Sequence, residues 1–222
     1  MPLRDRDGVG KRTVQLSASE ERLWSLIEER TKPEADVARI DRRIWDLFGE
    51  DWAVMFTDLS GFSRASAAFG ITHFLQIIFE QRQHVMPVVE SHDGILVKTE
   101  ADSLLILFRR AEAAVRCAVE MEAVCAQINR RRKPEEHILL CVGIGYGRLL
   151  RVGDAEVFGQ QVNAASKLGE DTAKAGEILL TEAARAAAGD LEGLRYDPIE
   201  QSVAGSDTNF RVVYRASHDG PT

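Results

Sequence analysis

The stretch from Trp52 to Phe62, WAVMFTDLSGF, constrains the fold of this chain more than any other. Its first five residues are apolar, a run that is too short for a helix to bury alone and typical of a strand covered on both faces. Asp58 follows at the end of this strand, and Gly61 permits close approach of the backbone to a ligand. A carboxylate beside a turn with exposed amides suits a phosphate held through a cation. The alternative is an ordinary polar junction between a strand and a turn.

Hydrophobic spacing predicts the elements that follow this first strand. The predicted helices cover 71–89, 111–132 and 162–168, with a further short one after a cap at Thr181. The predicted strands cover 95–98, 103–108 after a bend at 99–102, 138–144, 149–152, 177–180, 194–199 and 210–214. The alternating glycines Gly143, Gly145 and Gly147 indicate a sharp bend in the strand that contains them. This order predicts an α+β protein with a ferredoxin-like βαββαβ core.

Two further helical patterns precede this core. Ser17 or Ser19 caps the first, and the apolar stripe of the second runs from Ala35 to Leu47. We therefore expect an N-terminal helical extension over 1–50, one folded domain over 51–216 and a tail over 217–222.

Charge and composition narrow the class of protein. The net charge of −7 argues against a general nucleic-acid binder. The basic run 130–133 is either a local nucleic-acid patch or a solvated helix end, and the second reading is favoured because cations complement a helix C-terminus. No segment approaches the ~18 apolar residues of a membrane span, and the first residues lack the apolar stretch of a secretory signal. The three cysteines are expected to be reduced and buried, which predicts a cytoplasmic protein.

Two acids are expected to meet at one edge of the predicted sheet. In a βαββ unit the end of the first strand and the bend of the following hairpin lie side by side, which brings Asp58 close to Asp102. Two carboxylates repel unless a cation lies between them, and paired divalent ions roughly 3.5–4 Å apart are common in phosphoryl-transfer sites. A solvated pair of turn acids is the alternative.

Three motifs in the chain resemble those of one enzyme family. FTDLSGFS at 56–63, GILVKTEAD at 94–102 and EVFGQQVNAASKL at 156–168 occur in the order found in the catalytic domain of the class III nucleotidyl cyclases. The resemblance covers about residues 50–215. It implies an adenylate cyclase that converts ATP to 3′,5′-cyclic AMP and pyrophosphate with two Mg²⁺ or Mn²⁺ ions, at sites shared between the chains of a homodimer.

The resemblance also implies roles for residues around the metal ions. Asp58 and Asp102 would hold the two ions, with the Leu59 carbonyl as a further ligand. The amides of Gly61 and Phe62 would contact the triphosphate.

A second group of residues would bind the nucleoside, again by resemblance. Lys98 would donate to a purine ring nitrogen, and Glu156 would accept from the adenine amino group. Asn163 would position the ribose. Lys167 stands where the family has an arginine that stabilises charge on the transferred phosphoryl group, and lysine supplies a point charge without the guanidinium fork.

Departures from the family pattern leave two other functions open. The family has a late phosphate-binding lysine near the stretch 202–205, whereas no lysine follows Lys174 here, and Arg195 or Arg211 would have to replace it. Ala101 stands where glycine is usual. The alternatives to an adenylate cyclase are a cyclase-like domain that binds nucleotide or a partner without turnover, and a cyclase for another base, including a pyrimidine.

Overall fold

The computed structural model describes residues 17–61 and 68–214. These residues contain one eight-stranded sheet with helices packed against it. The strands are β1 (Gly49–Leu59), β2 (Ile95–Glu100), β3 (Ser103–Phe108), β4 (Leu140–Val152), β5 (Glu156–Phe158), β6 (Glu177–Thr181), β7 (Leu194–Ile199) and β8 (Asn209–Tyr214). The helices are α1 (Ala18–Arg30), α2 (Val37–Phe48), α3 (Ile71–Ser91), α4 (Ala111–Asn129), α5 (Gln160–Ser166) and α6 (Glu182–Ala188), with a 3₁₀ turn at Pro134–Glu136 and a π-helical segment at Lys167–Thr172. Among these described helices, none has the length and apolar character needed to cross a membrane.

The order of the strands confirms the predicted fold class. The sheet runs β2-β3-β1-β4-β6-β8-β7, and β5 pairs with β4. The central strand β1 is antiparallel to both β3 and β4, and β2 is antiparallel to β3. The segment β1-α3-β2-β3-α4-β4 is therefore a ferredoxin-like βαββαβ unit, which β6, β8 and β7 extend at one edge.

Both faces of β1 are buried, as its apolar run predicts. Ala53 and Met55 pack into the main core, together with side chains of α3 and α4. Trp52 and Val54 point to the other face, where they pack with Val162 of α5. Alternate residues of a strand point to opposite faces, so an unbroken apolar run is the pattern expected of a strand between two layers.

The strand β4 joins two predicted segments, and its glycines have a role that their spacing does not reveal. The predicted strand 138–144 and its continuation 149–152 form one strand, Leu140–Val152. A Cβ atom added at Gly143 would lie 2.1 Å from the carbonyl oxygen of Ala165, and one at Gly145 would lie 2.5 Å from that of Gln161. The glycines thus allow α5 to lie directly on the sheet.

Two smaller differences concern short elements. The strands of the β2–β3 hairpin reach Glu100 and Ser103, so its turn is confined to Ala101 and Asp102. The strand β5 was not predicted, because three residues are too few for hydrophobic periodicity to show.

The two N-terminal helices pack on the outer part of β4. Ser17 caps α1 in a reciprocal arrangement, in which its hydroxyl accepts from the Glu20 amide and the Glu20 carboxylate accepts from the Ser17 amide. The buried residues of α1 and α2 form one apolar cluster with Val152 of β4. The strand β1 begins at Gly49, directly after α2. The predicted domain boundaries at 50 and 216 stay predictions.

Candidate active site

Asp58 and Asp102 meet at one end of the sheet, as the βαββ topology predicts. The pairing of Thr57 with Leu104 places the end of β1 beside the start of β3, and Asp102 precedes β3 in the hairpin turn. The two carboxyl groups lie close enough for the charge of Asp102 to act on Asp58. The Ser103 hydroxyl also donates to Oδ1 of Asp58 at 3.3 Å. We call these two acids with Ser103 the carboxylate corner.

The electrostatics of the carboxylate corner suit a bound cation. Burial raises the pKa of Asp58 to about 6, and the negative charge of Asp102 adds to this effect, while hydrogen bonds from the Leu59 backbone and Ser103 oppose it. Asp102 is only 8% exposed. A positive charge beside the pair would favour the ionised form of both acids.

The donor set at the corner fits Mg²⁺ or Mn²⁺ bound together with a phosphate ligand. Within residues 17–61 and 68–214 no group of three or more His, Cys, Asp or Glu side chains is placed to hold a metal. The protein therefore offers two carboxylates, and the Leu59 carbonyl lies next to Asp58. Mg²⁺ is usually bound by one or two carboxylates with water and substrate phosphate oxygens completing its shell.

Two residues of α3 support the turn that carries Asp102, and the sequence analysis missed both. The Gln81 amide donates to the Asp102 carbonyl oxygen at 3.3 Å, and the Arg82 guanidinium donates to the Ala101 carbonyl oxygen at 2.9 Å. Ala101 has a φ of 49°, a left-handed conformation that disfavours residues with a Cβ atom. Gln81 lies on the buried, otherwise apolar face of α3, together with Ile78 and Val85. A polar residue at a buried position of an otherwise apolar helix face is the signal that would have identified Gln81.

The loop after β1 is only partly described. The Ser60 amide donates to the Leu139 carbonyl oxygen at 2.8 Å, and Gly61 has a φ of 90°, which favours glycine. Phe62, which is predicted to contact the triphosphate, lies outside the described residues. The phosphate-binding role of the Gly61 amide stays a prediction.

Lys98 and Glu156 line a single pocket of about 280 Å³, which we call the base pocket. The Lys98 ammonium lies 2.6 Å from Oε1 of Glu100 and 4.0 Å from Oε1 of Glu156. The hydrogen bond that Lys98 donates to Glu100, and then the charges of Glu100 and Glu156, raise the pKa of Lys98. The sequence analysis missed Glu100, although residues two apart on a strand share a face. The other lining residues are Phe56, Ser103, Leu105, Val157, Val162, Ser166 and Glu170.

Asn163 and Lys167 lie one turn apart beside the base pocket, and both are exposed. Lys167 begins the π-helical segment, where its ammonium lies 2.6 Å from Oδ2 of Asp171. This hydrogen bond raises the pKa of Lys167. Neither Asn163 nor Lys167 lines the base pocket. The structure thus groups the candidate residues into two pairs, Asp58 with Asp102 and Lys98 with Glu156, and Ser103 adjoins both pairs.

The two arginines considered as replacements for the late lysine each have an acidic partner. Arg195 on β7 lies 3.0 Å from Asp197, and Arg211 on β8 lies 3.0 Å from Glu177. Neither arginine lines the base pocket. A phosphate-binding role for either one stays a prediction.

Comparison with known families agrees with the fold and with the order of the motifs. The family model described as the adenylate and guanylate cyclase catalytic domain matches residues 49–202. The serine/threonine-protein kinase pkn2 of Myxococcus xanthus is 28% identical over 134 residues, which are 60% of this chain and 16% of that protein. The protein named "Putative adenylate cyclase 3" of Rhizobium meliloti (strain 1021) is 28% identical over 130 residues, which are 59% of this chain and 22% of that protein. The match therefore spans about a fifth of the length of these relatives.

Solved cyclase structures share the fold. An adenylate/guanylate cyclase/hydrolase from Silicibacter pomeroyi superposes with a TM-score of 0.64 at 25% identity, covering 74% of this chain and 95% of that one. The adenylyl cyclase CyaB from P. aeruginosa superposes with a TM-score of 0.63 at 20% identity, covering 78% and 98%. The guanylate cyclase domain of RhGC from Catenaria anguillulae, in complex with GTP, gives a TM-score of 0.62 at 19% identity, covering 75% and 97%.

Proposed function

Because this chain belongs to the family of adenylate and guanylate cyclase catalytic domains, we propose that it is an adenylate cyclase. The reaction is attack of the ribose 3′ oxygen of ATP on the α-phosphorus, which closes the cyclic diester and expels pyrophosphate. The observation that carries this proposal is the convergence of Asp58 and Asp102, where burial and then the charge of Asp102 raise the pKa of Asp58. Such a pair suits the binding of metal ions with a triphosphate.

The carboxylate corner holds two Mg²⁺ or Mn²⁺ ions in this proposal. Asp58 and Asp102 are the side-chain ligands, and the Leu59 carbonyl is a further one. When bound, such ions lower the pKa of a hydroxyl group and stabilise charge that develops on phosphate oxygens. Gln81 and Arg82 keep the turn of Asp102 in place through its backbone.

The base pocket reads adenine through one donor and one acceptor. Lys98 donates to the ring nitrogen N1, and Glu156 accepts from the 6-amino group. An ammonium group has three donors, so Lys98 keeps its contact with Glu100 while it donates to the base. Asn163 positions the ribose, and Lys167 moves from Asp171 to the transferred phosphoryl group.

The complete site lies between two chains of a homodimer in this proposal. One chain supplies the carboxylate corner, and the other supplies Lys98, Glu156, Asn163 and Lys167. Support comes from the exposure of Asn163 and Lys167 in the single chain. Each chain carries both sets of residues, so a symmetric dimer has two equivalent sites.

A second candidate substrate follows from the polar pattern of the base pocket. Cytosine presents an acceptor ring nitrogen beside an amino group, which is the same pattern that adenine presents. Lys98 and Glu156 therefore suit both bases, while guanine and uracil present the opposite pattern at these positions. The pair predicts a preference for ATP or CTP over GTP and UTP, and the size of the base decides between the first two.

The test is incubation of the purified chain with each of the four nucleoside triphosphates and Mn²⁺, with products identified by mass. We expect cyclic AMP from ATP, and its loss in Asp58→Asn. The matched control is Asp51→Asn, which removes an exposed acid from the same strand and should leave the rate unchanged.

Each other outcome overturns a defined part of the proposal. Cyclic CMP as the main product would replace the substrate and keep the roles of Lys98 and Glu156. A product from GTP or UTP alone would contradict those two roles. Nucleotide binding with no cyclic product from any of the four would show a domain that binds without turnover.

A further inference from the structure

A pocket of about 430 Å³ lies on the face of the sheet opposite the base pocket. Its walls are the last two turns of α4, the residues just before β4, the turn before β6 and the end of β8. We call it the α4 pocket. Its volume falls in the range of small-molecule sites, and none of its lining residues belongs to the carboxylate corner or the base pocket. The proposed reaction therefore makes no use of it.

A buried carboxyl group without a partner faces the α4 pocket. Glu122 is 8% exposed, and within the described residues its Oε1 atom is buried with no hydrogen-bond partner. Burial raises the pKa of Glu122 to about 8. A buried carboxyl oxygen without a hydrogen bond is costly, so this site is suited to a ligand that supplies a donor.

Two polar groups that line the pocket with Glu122 have other hydrogen-bond partners. The Tyr214 hydroxyl already donates to the Gly176 carbonyl oxygen at 2.9 Å, so it faces the pocket as an acceptor. The Asn129 amide is occupied by the backbone of Ile138, at 2.8 and 2.9 Å.

The two thiols and the phenol near Glu122 do not ionise at neutral pH. Burial, with the charge of Glu122 as a further cause, raises the pKa of Cys125 to about 12 and also raises that of Tyr214. Burial raises the pKa of Cys141 on β4 to about 12, with the charges of Asp58 and Glu122 as smaller causes. The remaining charged or titratable residues that line the pocket are Arg130 and His137.

We propose that the α4 pocket binds a small hydrophobic primary amine. The ammonium group pairs with Oε1 of Glu122 and donates to the Tyr214 oxygen, and the hydrocarbon body packs against Ala126, Ile138 and Leu139. Below about pH 8 the Glu122 acid releases its proton to solvent when the ammonium binds, so that the bound pair is a carboxylate and an ammonium ion. Leu139 and Arg130 are exposed at the rim, which gives a ligand access.

The α4 pocket adjoins the carboxylate corner through one hydrogen bond. Leu139 lines the pocket, and its carbonyl oxygen accepts from the amide of Ser60, two residues after Asp58. An amine in the pocket is therefore expected to change metal-dependent turnover. This consequence rests on the proposed function, whereas binding of the amine does not.

The test is calorimetric titration of the full chain with n-hexylamine, and with n-hexanol as the uncharged comparison. We expect one saturable site, with an affinity for the amine that rises on the order of tenfold from pH 6 to pH 7 and levels off above pH 8. Hexanol should bind more weakly and without this pH dependence. Equal binding of hexylamine and hexanol would overturn the proposal. No binding of the amine would also overturn it and would mean that only water reaches Glu122.

Three variants locate the site. Glu122→Gln keeps the shape of the side chain, and it should lower amine affinity at least about tenfold and remove the pH dependence while leaving hexanol binding unchanged. Glu120→Gln, which removes a half-exposed acid from the same helix, should change neither. Ala126→Leu places a larger side chain in the pocket and should abolish binding of both probes, with the melting temperature confirming the fold. Retention of amine binding in Glu122→Gln or in Ala126→Leu would place the ligand elsewhere and refute the site.

Discussion

The carboxylate corner and the base pocket differ in how far the single chain has already organised them. Asp102 is buried, and the side chains of Gln81 and Arg82 hold its turn by donating to backbone carbonyl oxygens. Lys98 and Lys167 are exposed, and each is held by an acid close to it in the sequence. The corner is positioned by the sheet, whereas the ammonium groups of Lys98 and Lys167 are held by surface ion pairs.

This difference indicates what each region lacks. A buried acid pair has lost its water and lacks a positive charge. Exposed ion pairs are worth little, since solvent screens them, so Lys98 and Lys167 are free to exchange partners at small cost. We infer that metal and phosphate alone would complete the carboxylate corner. The proposed nucleoside-binding residues would also need the surface of a second chain to enclose the substrate.

The largest expected effect tests whether the two regions act in trans. Asp58→Ala and Asn163→Ala chains should each be inactive alone. Mixed in equal amounts under conditions of chain exchange, they should recover roughly a quarter of wild-type activity, since half of the dimers are hybrids with one intact site of two. The measurement is cyclic nucleotide formation after mixing, with exchange verified by differently tagged chains. Zero recovery in exchanged dimers would place both regions of one site in the same chain.

The next effect concerns Lys167, which is proposed to contact the transferred phosphoryl group. Lys167→Arg should keep kcat or raise it up to about tenfold, because the guanidinium restores a bidentate contact. Lys167→Met should lower kcat about a hundredfold. Steady-state kinetics measures both, with Lys174→Arg as the control for an exposed lysine outside the site. A large loss in Lys167→Arg would show that this lysine does not contact the phosphoryl group.

A smaller effect concerns the stability of the metal-free corner. The pKa of Asp58 in the folded chain, about 6, lies above its ordinary value of 3.8. Between these values the folded chain binds more protons than the unfolded chain, so the free energy of unfolding should fall as pH rises from about 4 to about 6. Asp58 is half-buried and partly screened by solvent, so we expect a contribution on the order of 1 kcal/mol.

Urea unfolding in the presence of EDTA measures this slope. Asp58→Asn should flatten it, and excess Mg²⁺ should restore stability above pH 6. An identical slope in wild type and Asp58→Asn would mean that another acid is responsible.

The smallest effect tests the strain in the hairpin turn. Ala101→Gly should raise the free energy of unfolding by about 1 kcal/mol, because glycine accepts the positive φ of this residue. Ala187→Gly, on an exposed face of α6, should instead lower it by about 1 kcal/mol. Thermal unfolding compares the two. A loss of stability in Ala101→Gly would show that unfolded-state entropy outweighs the relief of strain.

The sequence was informative where a feature depends on nearby residues. The apolar run of β1 requires cover on both faces, and the βαββ order then brings Asp58 to Asp102. The pairs Lys98–Glu100 and Lys167–Asp171 follow the strand and helix periods and are predictable in the same way.

Features that depend on distant packing could not be predicted. The alternating glycines of β4 predict a bend, and only the position of α5 shows that they are needed for close contact. Glu122 lies on the apolar face of α4, but the pocket before it forms only when the chain around Ile138, the turn before β6 and the end of β8 meet. The roles of the candidate metal and nucleotide residues stay predictions.

The pairing of β1 with β4 has a consequence for how this chain acquires its site. All eleven residues of β1 pair with β4, from Gly49 with Leu150 to Leu59 with Leu140. Partners so distant in the sequence impose a large loop-closure entropy and slow folding. During synthesis, β1, β2 and β3 leave the ribosome well before β4. The loop after Asp58 therefore lacks its support from Leu139 until β4 has been synthesised, and we expect metal affinity to appear in one step, when β4 docks.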